Sequence, residues 1–118
     1  MLYTAQSASL ALLEAVVHIG KLPSKGFCMA KIEIPDSIAS AILPEKLQND
    51  WQASPPPDIL KKIGDQFVRE AQFLAMPVPS VLMPEEYNYI VNPHHPLAGK
   101  IRLLETRSMN IDGRILKK

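Results

Sequence analysis

Residues 58–91 read DILKKIGDQFVREAQFLAMPVPSVLMPEEYNYIV, and the change of period inside this stretch decides the fold class. Its first half spaces Ile59, Leu60, Ile63, Phe67 and Ala71 as one helical stripe, with Asp58 as the cap behind Pro55-Pro56-Pro57. Gly64 falls inside that helix at a cost of about 1 kcal/mol against alanine, which implies close packing or a break there. The second half turns to strand-like residues, Ala75 to Met83 and then Tyr87 to Val91. Pro77 and Pro79 have no N–H to donate to a ladder, so the first of these strands belongs at a sheet edge or a bulge.

Working outward, Lys100 to Arg107 is a third strand candidate, and Asn110 to Leu116 a short fourth with Asp112-Gly113 as turn residues. On the N-terminal side, Phe27 to Ile34 alternates as a strand that Pro35-Asp36 ends. Residues 36 to 57 read as irregular, with a short helix through Ile38 to Ile42. Ser7 and Ser9 both suit the N-cap of a helix carrying Leu10, Leu13, Val16 and Val17 to a stop at Gly20. Leu2-Tyr3-Thr4 is strand-like. Two or three helices with four to six short strands, clustered late, make an α+β fold: a small mixed or antiparallel sheet with flanking helices.

The chain has 118 residues, 47% hydrophobic and 21% charged, which suits one compact domain over 1–118 and excludes general disorder. Its formal charge of +1 offers no whole-molecule attraction to nucleic acid or acidic lipid. The locally basic stretch of Lys100, Arg102, Arg107, Arg114, Lys117 and Lys118 reads first as a solvated edge and only second as a binding patch. Cys28 is the one cysteine, so disulfide frameworks and multi-cysteine metal sites are out. The apolar run Leu10 to Ile19 carries Glu14 and His18 and is about half the roughly 20 residues of a membrane span. A cytoplasmic chain without membrane segments is the expectation.

Glu14 is the residue that asks for an explanation. Its helix is apolar nearly all round, and a carboxylate buried there costs several kcal/mol unless it is paired, hydrogen-bonded or open to a cleft. Two readings stand: a solvated stripe shared with Gln6, Ser7 and His18, or a carboxylate lining a pocket. His18 is one turn from Glu14 and reads as its partner or as a surface residue. His94 and His95 are adjacent in a proline-bounded loop, without the i, i+4 spacing of a helical zinc pair, so no metal is expected. Cys28 reads as a small core residue, and Trp51, Tyr87 and Tyr89 as packing residues. Glycine-rich phosphate loops, the G-x-S-x-G elbow and the basic-aromatic pattern of an RNA-binding sheet do not occur.

Two stretches carry a family likeness. Tyr3-Thr4-Ala5-Gln6-Ser7-Ala8-Ser9-Leu10-Ala11-Leu12-Leu13-Glu14 resembles the opening half of the RES domain, where a tyrosine ends a strand and a glutamate sits on the next helix. Val78-Pro79-Ser80-Val81-Leu82-Met83-Pro84-Glu85-Glu86-Tyr87-Asn88-Tyr89-Ile90-Val91-Asn92-Pro93, continued by His95-Pro96, resembles its second signature. Phe27 to Asp36 and Leu60 to Asp65 fit between them, so the resemblance runs in order over nearly the whole chain.

The resemblance implies a toxin of a bacterial toxin–antitoxin pair, with a fold like that of ADP-ribosyltransferases, NAD⁺ as substrate and no metal. Its implied partner is a helix-turn-helix antitoxin of the Xre type, with no direct binding of nucleic acid or membrane. It implies Glu14 as catalytic carboxylate, Tyr3 as a pocket residue beside nicotinamide, and Ser80, the serine of the family name, as a hydroxyl that fixes the amide or ribose of NAD⁺ by hydrogen bonding; all three would line the NAD⁺ site. The family's arginine lies upstream of its tyrosine; no arginine precedes Arg69 here, so that role passes to no residue of this chain. By the usual size of one domain, about 30 to 40 residues of the family's fold are expected ahead of Met1, which makes 1–118 an N-terminally shortened domain. The alternative from a different class is a catalytically silent homologue that only binds its antitoxin. The shortening would also expose the strand edge at Leu2 to Thr4, which favours self-association.

Overall fold

The structure is a computed structural model that describes residues 2–19, 27–40, 51–52 and 58–116. Along them run β1 (Leu2–Ala5), α1 (Ala8–Ile19), β2 (Phe27–Glu33), α2 (Asp58–Glu70), β3 (Ala75–Pro79), β4 (Tyr87–Val91), β5 (Arg102–Met109) and α3 (Gly113–Leu116). A single 3-10 turn, Ala98–Lys100, leads into β5. The class is α+β, as the change of period in residues 58–91 requires. Its strands form two antiparallel sheets: β1-β4-β3, and a ribbon of β2 with β5.

The proline argument holds for β3, which lies at the edge of the three-stranded sheet. β4 is central, with Tyr3 opposite Ile90 and Ala5 opposite Asn88 on one side, and Met76 opposite Ile90 and Val78 opposite Asn88 on the other. Because strand side chains alternate, Tyr3, Ala5, Asn88, Ile90, Met76 and Val78 share one face. On that face α2 packs, its Phe67 buried with Met76 and Ile90 and its Ile63 and Val68 against them. The opposite face buries Ala75 and Val91 with Leu74, covered by Ile34, Leu97, Ala98 and Ile101.

Ends of elements follow local chemistry. Ser7, not Ser9, caps α1: its hydroxyl accepts the Leu10 N–H at 3.1 Å. Asp58 lies inside the first turn of α2, where its charge suits the helix dipole. At the far end, Ala71 takes φ 49°, the left-handed conformation usual just past a helix, with its N–H on the Phe67 carbonyl.

Four expectations are corrected. β3 ends at Pro79 rather than Met83, because the Ser80 N–H turns to the Glu86 carbonyl and opens a loop. Residues 113–116 are helical rather than a strand, since Asp112 acts as an N-cap: its carboxylate accepts the Arg114 N–H at 2.9 Å. Ile38 makes a parallel bridge to Ala75 instead of starting a helix; positions 41–42 of that reading lie outside the described residues. Cys28 is exposed, on a ribbon most of whose side chains face solvent.

α1 is also covered more thinly than its composition suggests, with Leu10 buried but Val17 exposed. The stop at Gly20, the proline triplet and the side chains of His18 and Ile59 lie outside the described residues. Trp51 is buried, as a packing residue should be. No helix among the described residues is long and apolar enough to cross a membrane.

Candidate active site

The inner face of α1 carries Ser7, Leu10 and Glu14 at i, i+3 and i+7, so one side of the helix holds all three. Leu10 is 2% exposed, which makes that side the one turned toward the sheet. Glu14 therefore stands on the packed side, half-buried, rather than on a solvated stripe.

The loop and strand that meet it come from the β3–β4 hairpin. Ser80 follows the last residue of β3 and is 0% exposed. Its hydroxyl accepts the N–H groups of Leu82 and Met83, both at 3.1 Å, and donates to Glu14 Oε1 at 2.8 Å. Two N–H donors aimed at the oxygen leave its proton directed at the carboxylate. From the second position of β4, Asn88 Nδ2 donates to the same Glu14 oxygen at 2.9 Å.

Three further bonds tie the start of α1 to that hairpin. The Ser7 hydroxyl donates to Glu86 Oε1 at 3.2 Å while it caps the helix. The Gln6 N–H reaches the Tyr87 carbonyl at 3.1 Å, and the Tyr87 N–H returns to Gln6 Oε1 at 2.7 Å. α1 is thus held at its first residues and, two turns on, at Glu14. The carboxylate has little freedom to swing.

Of the three site residues expected from the sequence, Glu14 and Ser80 are in direct contact. Tyr3 stands apart on β1, 66% exposed. Register nonetheless directs it to the same sheet face as Asn88, two positions along from Ala5, the partner of Asn88. Tyr3 is an open aromatic at the rim of the face on which Glu14 lies. His95 spends Nδ1 on the Leu97 N–H at 3.0 Å, and His94 is exposed. Among the described residues no group of three His, Cys, Asp or Glu could hold a metal ion.

Asn88 escaped the reading of the sequence. A signal for it existed: asparagine is depleted in strands, yet it interrupts Tyr-Asn-Tyr-Ile-Val on the face that Ile90 marks as inward. Asn92 escaped as well. It is 0% exposed, donates Nδ2–H to the Val68 carbonyl at 3.1 Å and accepts the His94 N–H at 3.0 Å, which pins the loop after β4 to the end of α2. The apolar cavity lined by Ile63, Phe67, Phe73 and Met76 belongs to the α2 side and includes none of Tyr3, Glu14 or Ser80.

Known proteins resemble this chain along nearly its whole length. A family model described as the RES domain matches residues 1–112. The chain is 35% identical over 123 residues to the Prs ADP-ribosylating toxin of Sphingobium sp. (strain YBL2), covering 100% of this chain and 76% of that protein. It is 35% identical over 106 residues to Toxin Res of Pseudomonas putida, covering 87% and 71%. A third relative, Toxin Res of Photorhabdus laumondii, is 31% identical over 120 residues, covering 98% and 75%.

Proposed function

This chain belongs to the RES domain family, and on that premise we propose that it is a toxin domain that consumes NAD⁺, breaking the nicotinamide–ribose bond with Glu14 as catalytic carboxylate. The observation that carries the reading is the double hydrogen bond on Glu14 Oε1, from Ser80 at 2.8 Å and Asn88 at 2.9 Å. A carboxylate held this way, half-buried on a largely apolar helix, is an electrostatic device prepared in advance.

In the reaction the C1′–N1 bond breaks and its electron pair leaves with nicotinamide, which departs neutral because NAD⁺ carries its charge on that nitrogen. C1′ becomes oxocarbenium-like, and a nearby carboxylate opposes that charge far more strongly where water is thin. The same carboxylate can accept from ribose hydroxyls, whose hydrogen bonds strengthen as the ring loses electron density. Tyr3 offers an exposed ring on the same sheet face, suited to stacking on nicotinamide. Ser80 is fully buried and its hydroxyl donates its hydrogen bond to Glu14, so it serves by orienting the carboxylate rather than by holding the amide or ribose of NAD⁺.

An acceptor oxygen or nitrogen then bonds to C1′ and loses its proton. Water as acceptor yields ADP-ribose; a protein side chain yields an ADP-ribosylated target, the outcome that the name of the Sphingobium relative supports. The toxin names of the relatives support a toxin–antitoxin pairing; the Xre-type helix-turn-helix antitoxin and the bacterial cytoplasm are what the family likeness of the sequence adds to this reading.

The test is nicotinamide release from NAD⁺, followed by chromatography, for the chain and its Glu14→Gln variant. Release should fall by about 10²-fold or more in the variant, the scale of losing one preorganised charge-stabilising group. Turnover unchanged by Glu14→Gln would overturn the assignment. A folded chain that releases no nicotinamide but co-purifies with its antitoxin would favour the silent, antitoxin-binding alternative.

A further inference from the structure

We propose that Asn88 is a positioning residue for the Glu14 carboxylate, with a kinetic role that rests on the NAD⁺-consuming reading above. β4 is the central strand, paired to β1 at Ala5 and to β3 at Val78 on either side of Asn88. Ladders on both sides fix its Cα and the direction of its side chain, so the amide arrives at Glu14 from the most constrained strand of the sheet. The carboxylate only accepts hydrogen bonds, so the Asn88 amide must present its NH₂ to it. The 2.9 Å separation is that of a charge-assisted bond.

The position itself is costly for the fold. A β-branched or aromatic residue would suit this strand position better than asparagine, which strands disfavour. Face and neighbours point the same way: Ile90 and Met76 continue this face as buried apolar residues, and Asn88 is its polar interruption at the height of Glu14. Ser80 alone would hold Oε1 from one direction. With Asn88 added, two donors that come from a loop and a strand meet at one oxygen and hold it from two directions.

The residue acts through Glu14 and leaves substrate binding to others, which fixes the expected kinetics. Asn88→Leu should lower kcat about 10- to 100-fold, the penalty of a catalytic group mispositioned by about 1 Å, while KM for NAD⁺ stays within about threefold. Asn88→Gln, which keeps an amide donor, should recover part of that loss. Circular dichroism of both variants should match the parent. A contact readout independent of turnover completes the test. The Asn88 side-chain amide protons, observed by ¹⁵N NMR, should shift on Glu14→Ala.

Wild-type kcat in Asn88→Leu alongside loss of turnover in Glu14→Gln would overturn the role of Asn88 and leave the NAD⁺ reading standing. A rise in KM without a fall in kcat would overturn it too. Full activity in Glu14→Gln would instead overturn Glu14 as the catalytic carboxylate, and no nicotinamide release from the folded parent chain would overturn the NAD⁺ reading. The amide resonances would then still decide the contact, unmoved protons refuting it and shifted protons supporting it.

Discussion

Truncating Ser80 to alanine should destabilise the chain severely for a single oxygen atom. The hydroxyl makes three hydrogen bonds at a residue with 0% exposure, so no water stands ready to take its place. The bond donated to a carboxylate is worth about 1.5–3 kcal/mol. The Leu82 and Met83 N–H groups sit in a loop whose residues are half-buried and exposed, and they regain water at a smaller cost, about 0.5–1 kcal/mol each. Together these come to about 2.5–5 kcal/mol, a large share of the roughly 5–15 kcal/mol that holds a typical domain.

At about 4 °C per kcal/mol for a chain of this size, the thermal midpoint should fall by about 10–20 °C in far-ultraviolet circular dichroism. A fall under about 3 °C would refute the reasoning. A double-mutant cycle separates the carboxylate bond from the loop bonds: in a Glu14→Ala background, Ser80→Ala should cost about 1.5–3 kcal/mol less. Strict additivity of the two variants would show that the bond carries no stability.

Ala71→Gly should stabilise the chain by about 0.5–1 kcal/mol in urea denaturation, because φ 49° penalises a Cβ and suits glycine after a helix; destabilisation would refute this. Asn92→Leu should cost about 2–4 kcal/mol, since it strands the Val68 carbonyl and the His94 N–H in a buried setting, and a neutral midpoint in the same assay would count against the pin. The Arg114 guanidinium beside Asp112 holds that carboxyl below its ordinary range. With the folded value depressed, whatever stability the exposed pair adds is present above the ordinary aspartate range and lost as pH falls through the lowered value. In ¹³C NMR the Asp112 carboxyl should titrate low and move up in Arg114→Ala; no movement would dismiss the pairing.

Local pattern carried much of this fold. The stripe of α2 was legible because its apolar residues recur at a 3.6-residue period, and the strand Tyr87 to Val91 because its aromatic and β-branched residues favour strands. The edge position of β3 was legible because a missing N–H is a property of proline anywhere. Asn110 to Leu116 misled because Asp112-Gly113 suits a turn and a helix start equally, and the side-chain cap on the Arg114 N–H decided for the helix. Cys28 misled because alternation identifies two faces without saying whether anything covers them.

The site divides along the same line. By itself the sequence determined that a carboxylate sits in an apolar helix, that Ser7 can start that helix, that prolines confine β3 to an edge or a bulge, and that Tyr3, Glu14 and Ser80 stand in the order of a RES domain. It left Glu14 between a solvated stripe and a pocket. Only tertiary structure placed it on the packed side of the helix, because the partners that hold it are far away in the chain: Ser80 lies 66 positions from Glu14 and Asn88 lies 74. Their meeting at one oxygen depends on the register of the β3–β4 hairpin and on Ser7 and Gln6 fastening α1 to it. Hydrogen bonds of that span have no local period, so no spacing rule announces them; they exist because the sheet brings its central strand under the helix.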